Sequence, residues 1–310
     1  MKIIAAPASL DERHFDSVFK GLAEAQGERV LVDLRHVRWV DPFGLVGLLA
    51  VGSVAARSGE QPLLQLPDEP EVISYMTRMG FFEEAEALYE IHGPKRRKGE
   101  TRESDVLLEI MPIRAYDDVH TMVERVNERG QVILTSQLHY PRAQALQFTT
   151  LLSEVCQNIV DHAEAGGWVA TQTYNLTRRP PGRRVVVIAV MDLGVGFRAS
   201  LSSAHASRFV DRWTDATALE QAFMHGLNRF HDPHRGQGLQ QIRRNAARWS
   251  GRVTIRSGTA RITEVPDWDE SPPLEEDLPE FPGSQIGIIL PARLEAEAPP
   301  PVRSRQGVRR

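Results

Sequence analysis

Glu154, Asn158 and His162 recur at a spacing of four in the stretch LLSEVCQNIVDHAEAG. On a helix that spacing puts all three side chains on one face. A face carrying a carboxylate, an amide and an imidazole suits a polar site better than a core. Asp192, Gly194 and Gly196 follow in VVIAVMDLGVGF, where a β-rich apolar run ends in an acid and two glycines. That pattern reads as a strand feeding a tight turn. Arg235, Gly236, Gly238 and Leu239 come last, in HRGQGLQQIRR, with the glycine pair directly before a helical stretch. Free backbone N–H groups and the helix dipole favour a phosphate there. Helix face, strand-end acid and glycine-rich phosphate loop together describe a nucleotide site.

In that order and spacing, E-x-x-x-N-x-x-x-H-A, D-x-G-x-G and G-x-G-L resemble the N, G1 and G2 boxes of the GHKL ATPases, the gyrase, Hsp90, histidine kinase and MutL type. The local flavour is closest to the anti-sigma-factor serine kinases, and the resemblance covers roughly Leu107 to Pro291. It implies a Bergerat-type α/β sandwich, with helices on one face of a mixed sheet, and ATP and Mg²⁺ as cofactors. It assigns the metal to Asn158, whose amide carbonyl suits a hard cation that keeps waters and phosphate oxygens as its other ligands. Glu154 becomes the general base on a water or a serine hydroxyl. His162 falls near the phosphates or the lid, although taken singly it reads equally as a cap or packing residue. Asp192 accepts from the adenine amino group, which selects adenine over guanine. Gly194 and Gly196 admit the base without a Cβ. Arg235, Gly236, Gly238 and Leu239 border the phosphates. Two departures are mild: no further glycine follows Leu239, and Gly283-Ser284 opens the last strand where the family often has Gly-Thr.

The elements that must hold these residues fall into two units. Residues 1–92 alternate strand and helix signals: RVLVDL at 29–34, an apolar run at 37–40, a helix after Asp41, a strand at 61–66 and a helix from Glu71 to Gly80. The phrase VLVDLRHVRWVDPFGLVGLL is similar to a STAS domain, the fold of anti-sigma-factor antagonists. Those antagonists carry a phosphorylatable serine in their signature loop. Here Asp41-Pro42-Phe43-Gly44 offers no hydroxyl, so a docking, pseudo-substrate or dimerisation module remains. Pro42 and Phe43 read either as an anchor for a partner or for the second unit, or as inward packing.

Residues 93–105, with Lys95, Arg96, Arg97 and Lys98, read as a solvated linker. From 106 to 291 the pattern is α+β: strands at 106–113, 168–175, 184–191, 251–257 and 285–290, a capped helix at 117–128, an extended piece at 131–134 and a long helix from Pro141 to Ala163. Residues 198–235 form a polar lid with a helix ending near Gly226. His225, His231 and His234 lie there, without the converging fourth ligand that a metal centre wants. Residues 264–283 are acidic and proline-rich, and read as an exposed insertion. Residues 292–310 read as a disordered tail.

The net charge of −4 gives no basic field to recruit nucleic acid. Hydrophobic and charged fractions of 41% and 25% are those of a soluble globular chain. No apolar run approaches the ~18 residues that span a bilayer, and the N-terminus is a poor signal peptide. The single cysteine, Cys156, has no partner for an internal disulfide and reads as a packing residue. The expectation is a cytoplasmic ATP-binding regulatory protein with a protein partner, compatible with a homodimer. Its enzyme class is left open between a serine/threonine kinase and an ATPase, with an ATP-gated binding module as the alternative. A gyrase- or MutL-like output is disfavoured because only 20 residues follow Leu290. A sensor histidine kinase is disfavoured because the nearest upstream histidine, His139, lacks a dimerisation-helix context.

Overall fold

The computed structural model describes residues 1–57, 59–94, 108–126, 128, 132–162, 166–176, 182–209, 212–227 and 238–293. The protein is mixed α/β. Its N-terminal unit holds a four-stranded parallel sheet in the order β1 (Lys2–Ala5), β3 (Val30–Asp33), β5 (Leu63–Gln65), β6 (Glu90–His92). A small parallel pair, β2 (Ser9–Leu10) and β4 (Trp39–Val40), lies apart from it. Helices α1 (Asp16–Ala23), α2 (Pro42–Ala56), α3 (Pro70–Arg78) and α4 (Phe81–Leu88) connect these strands. The helix expected from Glu71 to Gly80 is α3, and left-handed Gly80 (φ 73°) separates it from a further helix, α4, that was not among the expected elements.

Helix α2 organises this unit. Its N-terminus is well formed: Pro42 sits in the first turn and the Asp41 carboxylate accepts from the Gly44 N–H at 2.9 Å. Every residue from Pro42 to Gly52 is buried. The glycines make that possible. A Cβ on Gly44 would stand 2.2 Å from the Leu10 carbonyl oxygen, one on Gly47 2.6 Å from Phe15, and one on Gly52 2.4 Å from Tyr89.

The second unit is built on a seven-stranded sheet in the order β12 (Leu274–Glu275), β11 (Ala260–Glu264), β10 (Arg252–Gly258), β13 (Phe281–Pro291), β9 (Arg183–Asp192), β8 (Gly167–Leu176), β7 (Leu108–Ile113). Among the described residues all of its pairings are antiparallel, where the resemblance implied a mixed sheet and the strand pattern by itself allowed a mixed or an antiparallel one. One face carries α5 (Tyr116–Arg125), α6 (Arg142–His162), α8 (Asp215–His225) and α9 (Gly238–Arg248) over a core that includes Val186, Ile188, Val190, Ile255, Ile286 and Ile288. A further helix, α7 (Gly196–His205), starts at the second glycine of the Asp192 turn. The piece expected to be extended near 131–134 is instead a π-turn over Ile133–Gln137.

Helices on one face only were expected, yet the other face is covered as well. Trp168, Ala170, Ala189, Met191, Leu193 and Phe281 join one continuous core with α2 and its neighbours. This explains the unbroken apolar run of β9: both of its faces are buried, so alternation is lost. Phe43 packs inward, edge-on to Phe15 with ring centroids 6.0 Å apart, and its ring lies 3.6 Å from where a Cβ on Gly287 of β13 would stand. Both readings of Phe43 meet here, since its inward packing is its anchor on the second unit.

The segment at 264–283 is not simply an exposed insertion. It contributes β12 to the sheet edge, and the Asp269 carboxylate is buried against Arg252 at 3.2 Å. The basic run Lys95–Lys98 and the tail beyond Arg293 lie outside the described residues. Phe43→Ala removes a ring from the core that both units share, so the chain should lose about 3–5 kcal/mol while its unfolding stays cooperative. Urea denaturation followed by circular dichroism measures this. A loss within experimental error would mean that the ring is not part of the core.

Candidate functional site

Helix α6 runs unbroken through Glu154, Asn158 and His162, which therefore stand on successive turns. Glu154 is half-buried. The side chains of Asn158 and His162 lie outside the described residues, as do Arg235, Gly236, His231 and His234. Cys156, two residues before Asn158 and so on another face of the helix, is fully buried, and burial pushes its thiol up to about 12, which keeps it protonated and inert.

Gly238 opens α9 and is buried. A Cβ there would fall 2.5 Å from Glu154 Cδ and 2.7 Å from each of its oxygens. The start of α9 is thus laid directly on the Glu154 carboxylate, which a side chain at position 238 would have to displace. A carboxylate at a helix N-terminus is electrostatically favoured. Leu239, next along, packs half-buried against the helix-side core. The tertiary structure brings together an acid and a helix-opening glycine that lie more than eighty residues apart in the chain.

Asp192 ends β9, and its Oδ1 accepts the Gly194 N–H at 2.8 Å, closing the turn. Gly196 follows in the left-handed region (φ 72°), where a Cβ would also meet Ser257 Oγ at 2.6 Å. Ser257 ties the turn to the sheet: its hydroxyl donates to the Gly283 carbonyl at 2.8 Å and accepts the Phe197 N–H at 3.1 Å. Gly283 is itself left-handed (φ 73°), and a Cβ on it would stand 2.1 Å from the Asp192 carbonyl oxygen. Ser284 hydrogen-bonds the Asp192 carboxyl with both its side chain and its backbone.

Burial pushes the Asp192 carboxyl up to about 6, while the bonds from Gly194 and Ser284 pull it back. Ser257 and Gly283 were not among the expected site residues. Gly283-Ser284 had a signal, the glycine-hydroxyl pair opening the last strand, but Ser257 had none.

Beside this turn lies a cleft of about 440 Å³, bordered by Gly194, Gly196, Arg198, Asp215, Ser257 and Glu280. That size falls within the range of small-molecule pockets. Neither Asp192 nor Glu154 lines it, so the cleft sits beside the two acids instead of joining them. The described part of the expected lid is packed, not loose. Helix α8 is capped by Thr214, buries Leu219 and Phe223, and its Asp215 carboxylate accepts from the Thr259 N–H at 3.0 Å. Its last-turn His225 belongs to no metal cluster among the described residues.

No protein-family model, curated protein or solved structure matches this chain. Among the described residues, no helix is long and apolar enough to cross a membrane.

The raised Asp192 carboxyl has a consequence for stability. The folded protein favours its protonated form, so this contribution is present below the ordinary value of 3.8 and is lost as pH rises through about 6. Asp192→Asn removes the cost of a charge that is partly buried. The variant should be more stable than wild type at pH 8 by about 1–3 kcal/mol, with the gap closing below pH 4. Thermal unfolding across that range checks it, and a pH-independent difference would contradict the assignment.

Proposed function

We propose that the chain binds MgATP at a GHKL-type site and acts as a regulatory protein resembling the anti-sigma-factor serine/threonine kinases. The observation that carries this reading is the seating of the α9 N-terminus on Glu154. It sets a carboxylate that would act as a base beside a helix N-terminus that would receive phosphate. Helices α6, α8 and α9 over one face of the antiparallel sheet support a Bergerat-type sandwich, and the four parallel strands with their helices support a STAS-like N-terminal unit.

The residues present fit an adenine nucleotide. Asp192 offers a carboxylate acceptor whose fixed donors are Gly194 and Ser284, and Gly196 and Gly283 hold the turn in shapes that side chains would block. Asp192 would hold the adenine amino group and Asn158 the Mg²⁺, with Gly236, Gly238 and Leu239 bordering the phosphates and Arg235 and His162 beside them. The nucleotide supplies a transferable γ-phosphoryl group. Glu154 would take the proton of the attacking water or hydroxyl. The single, buried cysteine suits a reducing compartment, and we place the protein in the cytoplasm.

One observation favours the runner-up, an ATPase or ATP-gated binding module without protein kinase activity. Asp41, Pro42, Phe43 and Gly44 are all buried, as well as lacking a hydroxyl. The loop that carries phosphate in the STAS family is therefore closed to phosphoryl transfer in this chain, and the docking that its N-terminal unit performs is on its own sheet. A kinase reading requires an acceptor on a separate partner protein.

Glu154→Ala should leave ATP affinity within about twofold and lower turnover by ~10²–10⁴, because a base acts in the transition state. Gly238→Ala should retain the fold, since the clash falls on the end of a flexible side chain, and should lower turnover by displacing the Glu154 carboxylate. Calorimetry with ATP and GTP, together with phosphate release and transfer from labelled ATP, tests both. Equal affinity for the two nucleotides, or full turnover in Glu154→Ala, would remove the assignment.

A further inference from the structure

We propose that Arg256 is a positioning residue through which helix α1 of the N-terminal unit holds the Asp192 turn in shape, so that the N-terminal unit sets the affinity of the nucleotide site. The nucleotide half of this statement rests on the function proposed above. The positioning half rests on geometry alone.

Strand β10 alternates Arg252, Thr254 and Arg256 on the face turned away from the helix-side core. Arg256 stands between Arg261 of β11 and Gln285 of β13 in the register. It is among the largest fully buried side chains of the protein, 1% exposed. Such a cation is tolerated only when it is paired and hydrogen-bonded. Both its pairing and its packing partner come from α1: Asp16 Oδ1 lies 3.3 Å from its Nε, and its guanidinium sits 4.6 Å from the centroid of the Phe19 ring. The far side of the same fork donates to Gln285 Oε1 at 3.1 Å and to the Pro279 carbonyl.

Pro279 begins the segment that leads to Gly283. Phe281 in that segment packs on Phe19 with ring centroids 4.2 Å apart. The segment is therefore gripped twice by α1, once through Arg256 and once through Phe281. Its other end is Gly283, which presses on Asp192, and Ser284, which hydrogen-bonds the Asp192 carboxyl. The residue after Arg256, Ser257, locks Gly283 to Phe197. Every link is an ion-paired, packed or hydrogen-bonded contact, and the planar fork of arginine is needed to serve Asp16, Gln285 and Pro279 together. A lysine keeps the charge but cannot bridge the three.

The experiment compares the full-length wild type with Arg256→Lys, Phe19→Leu and Tyr174→Phe. Tyr174 meets Tyr75 of α3 with hydroxyls 2.5 Å apart, at another part of the same inter-unit contact, and serves as the control. MgATP affinity is read by calorimetry, and the Asp192 carboxyl is titrated by ¹³C NMR without nucleotide. Arg256→Lys and Phe19→Leu should weaken MgATP by about tenfold, the scale of coupling between contacting residues. They should also lower the Asp192 midpoint toward 3.8 as water reaches the carboxyl.

Tyr174→Phe should leave both readouts at their wild-type values. A midpoint unchanged in both α1-side variants overturns the positioning role, as does an equal shift in Tyr174→Phe. If Arg256→Lys does not fold, Phe19→Leu decides by the same titration. Absence of MgATP binding by wild type would refute the nucleotide reading, with the titration still deciding the positioning role. Unchanged MgATP affinity alongside a lowered midpoint would overturn the claim that the N-terminal unit sets affinity.

Discussion

Helix α2 is apolar on every side, and such a helix cannot sit on the surface of its own unit. The small β2–β4 pair covers part of it, with α1 and α4 packed alongside. The remaining face needs a second apolar surface, and the far face of the antiparallel sheet supplies one through Ala170, Ala189 and Met191. Burial of this kind contributes roughly 25 cal/mol per Å² of apolar area, which makes the join between the units part of the fold. The three glycines of α2 that meet Leu10, Phe15 and Tyr89 let the packing close, because any Cβ at those positions would overlap a neighbour.

The same sheet face is polar at its β10–β11 end, and there the join is ionic. Arg252 pairs with Glu12 and Asp269, Arg256 with Asp16, and Arg261 with Glu12, Asp16 and Glu275. Burial alone would lower the Arg256 guanidinium, and it does so, to about 10, even with Asp16 opposing. For Arg252 and Arg261 the surrounding carboxylates outweigh burial and the shift is upward. Buried ion pairs of this sort add little net stability over apolar packing, but removing one partner leaves a charge stranded. Their effect is to fix which surface of the N-terminal unit meets which strand. The acidic segment at 264–283 supplies Asp269 and Glu275 to that network, and its acidity has this structural use.

The candidate site residues were legible because their spacing reports a local geometry. Four-residue spacing gives a helix face, and an acid followed by alternating glycines gives a strand end and turn. Asp192, Gly194 and Gly196 accordingly stand where the pattern put them, and Glu154, Asn158 and His162 share one continuous helix. Less legible were elements whose identity depends on partners far away. Strand β1 is four residues long, α1 is eight, and β11 and α7 carry weak periodicity of their own. Ser257 looks like any strand-end serine until Gly283 and Phe197 are brought to either side of it. The lid helix was legible in place and in its end at Gly226, but not in its packing, which depends on Thr259 meeting Asp215 from the neighbouring hairpin.

By itself the sequence determined the local periods, the turn glycines, the order of the three polar motifs and the absence of a hydroxyl from the Asp41–Gly44 loop. These follow from backbone geometry and side-chain chemistry, which act over a few residues. Only the tertiary structure decided that both faces of the antiparallel sheet are covered, that Phe43 is held against Gly287, and that Gly238 is laid on Glu154. It also decided that α1 reaches the Asp192 turn through Arg256. Contacts such as Glu12 with Arg252 join residues more than two hundred positions apart. Their partners are selected by the shape and charge of whole surfaces meeting, and no spacing within the chain encodes that meeting.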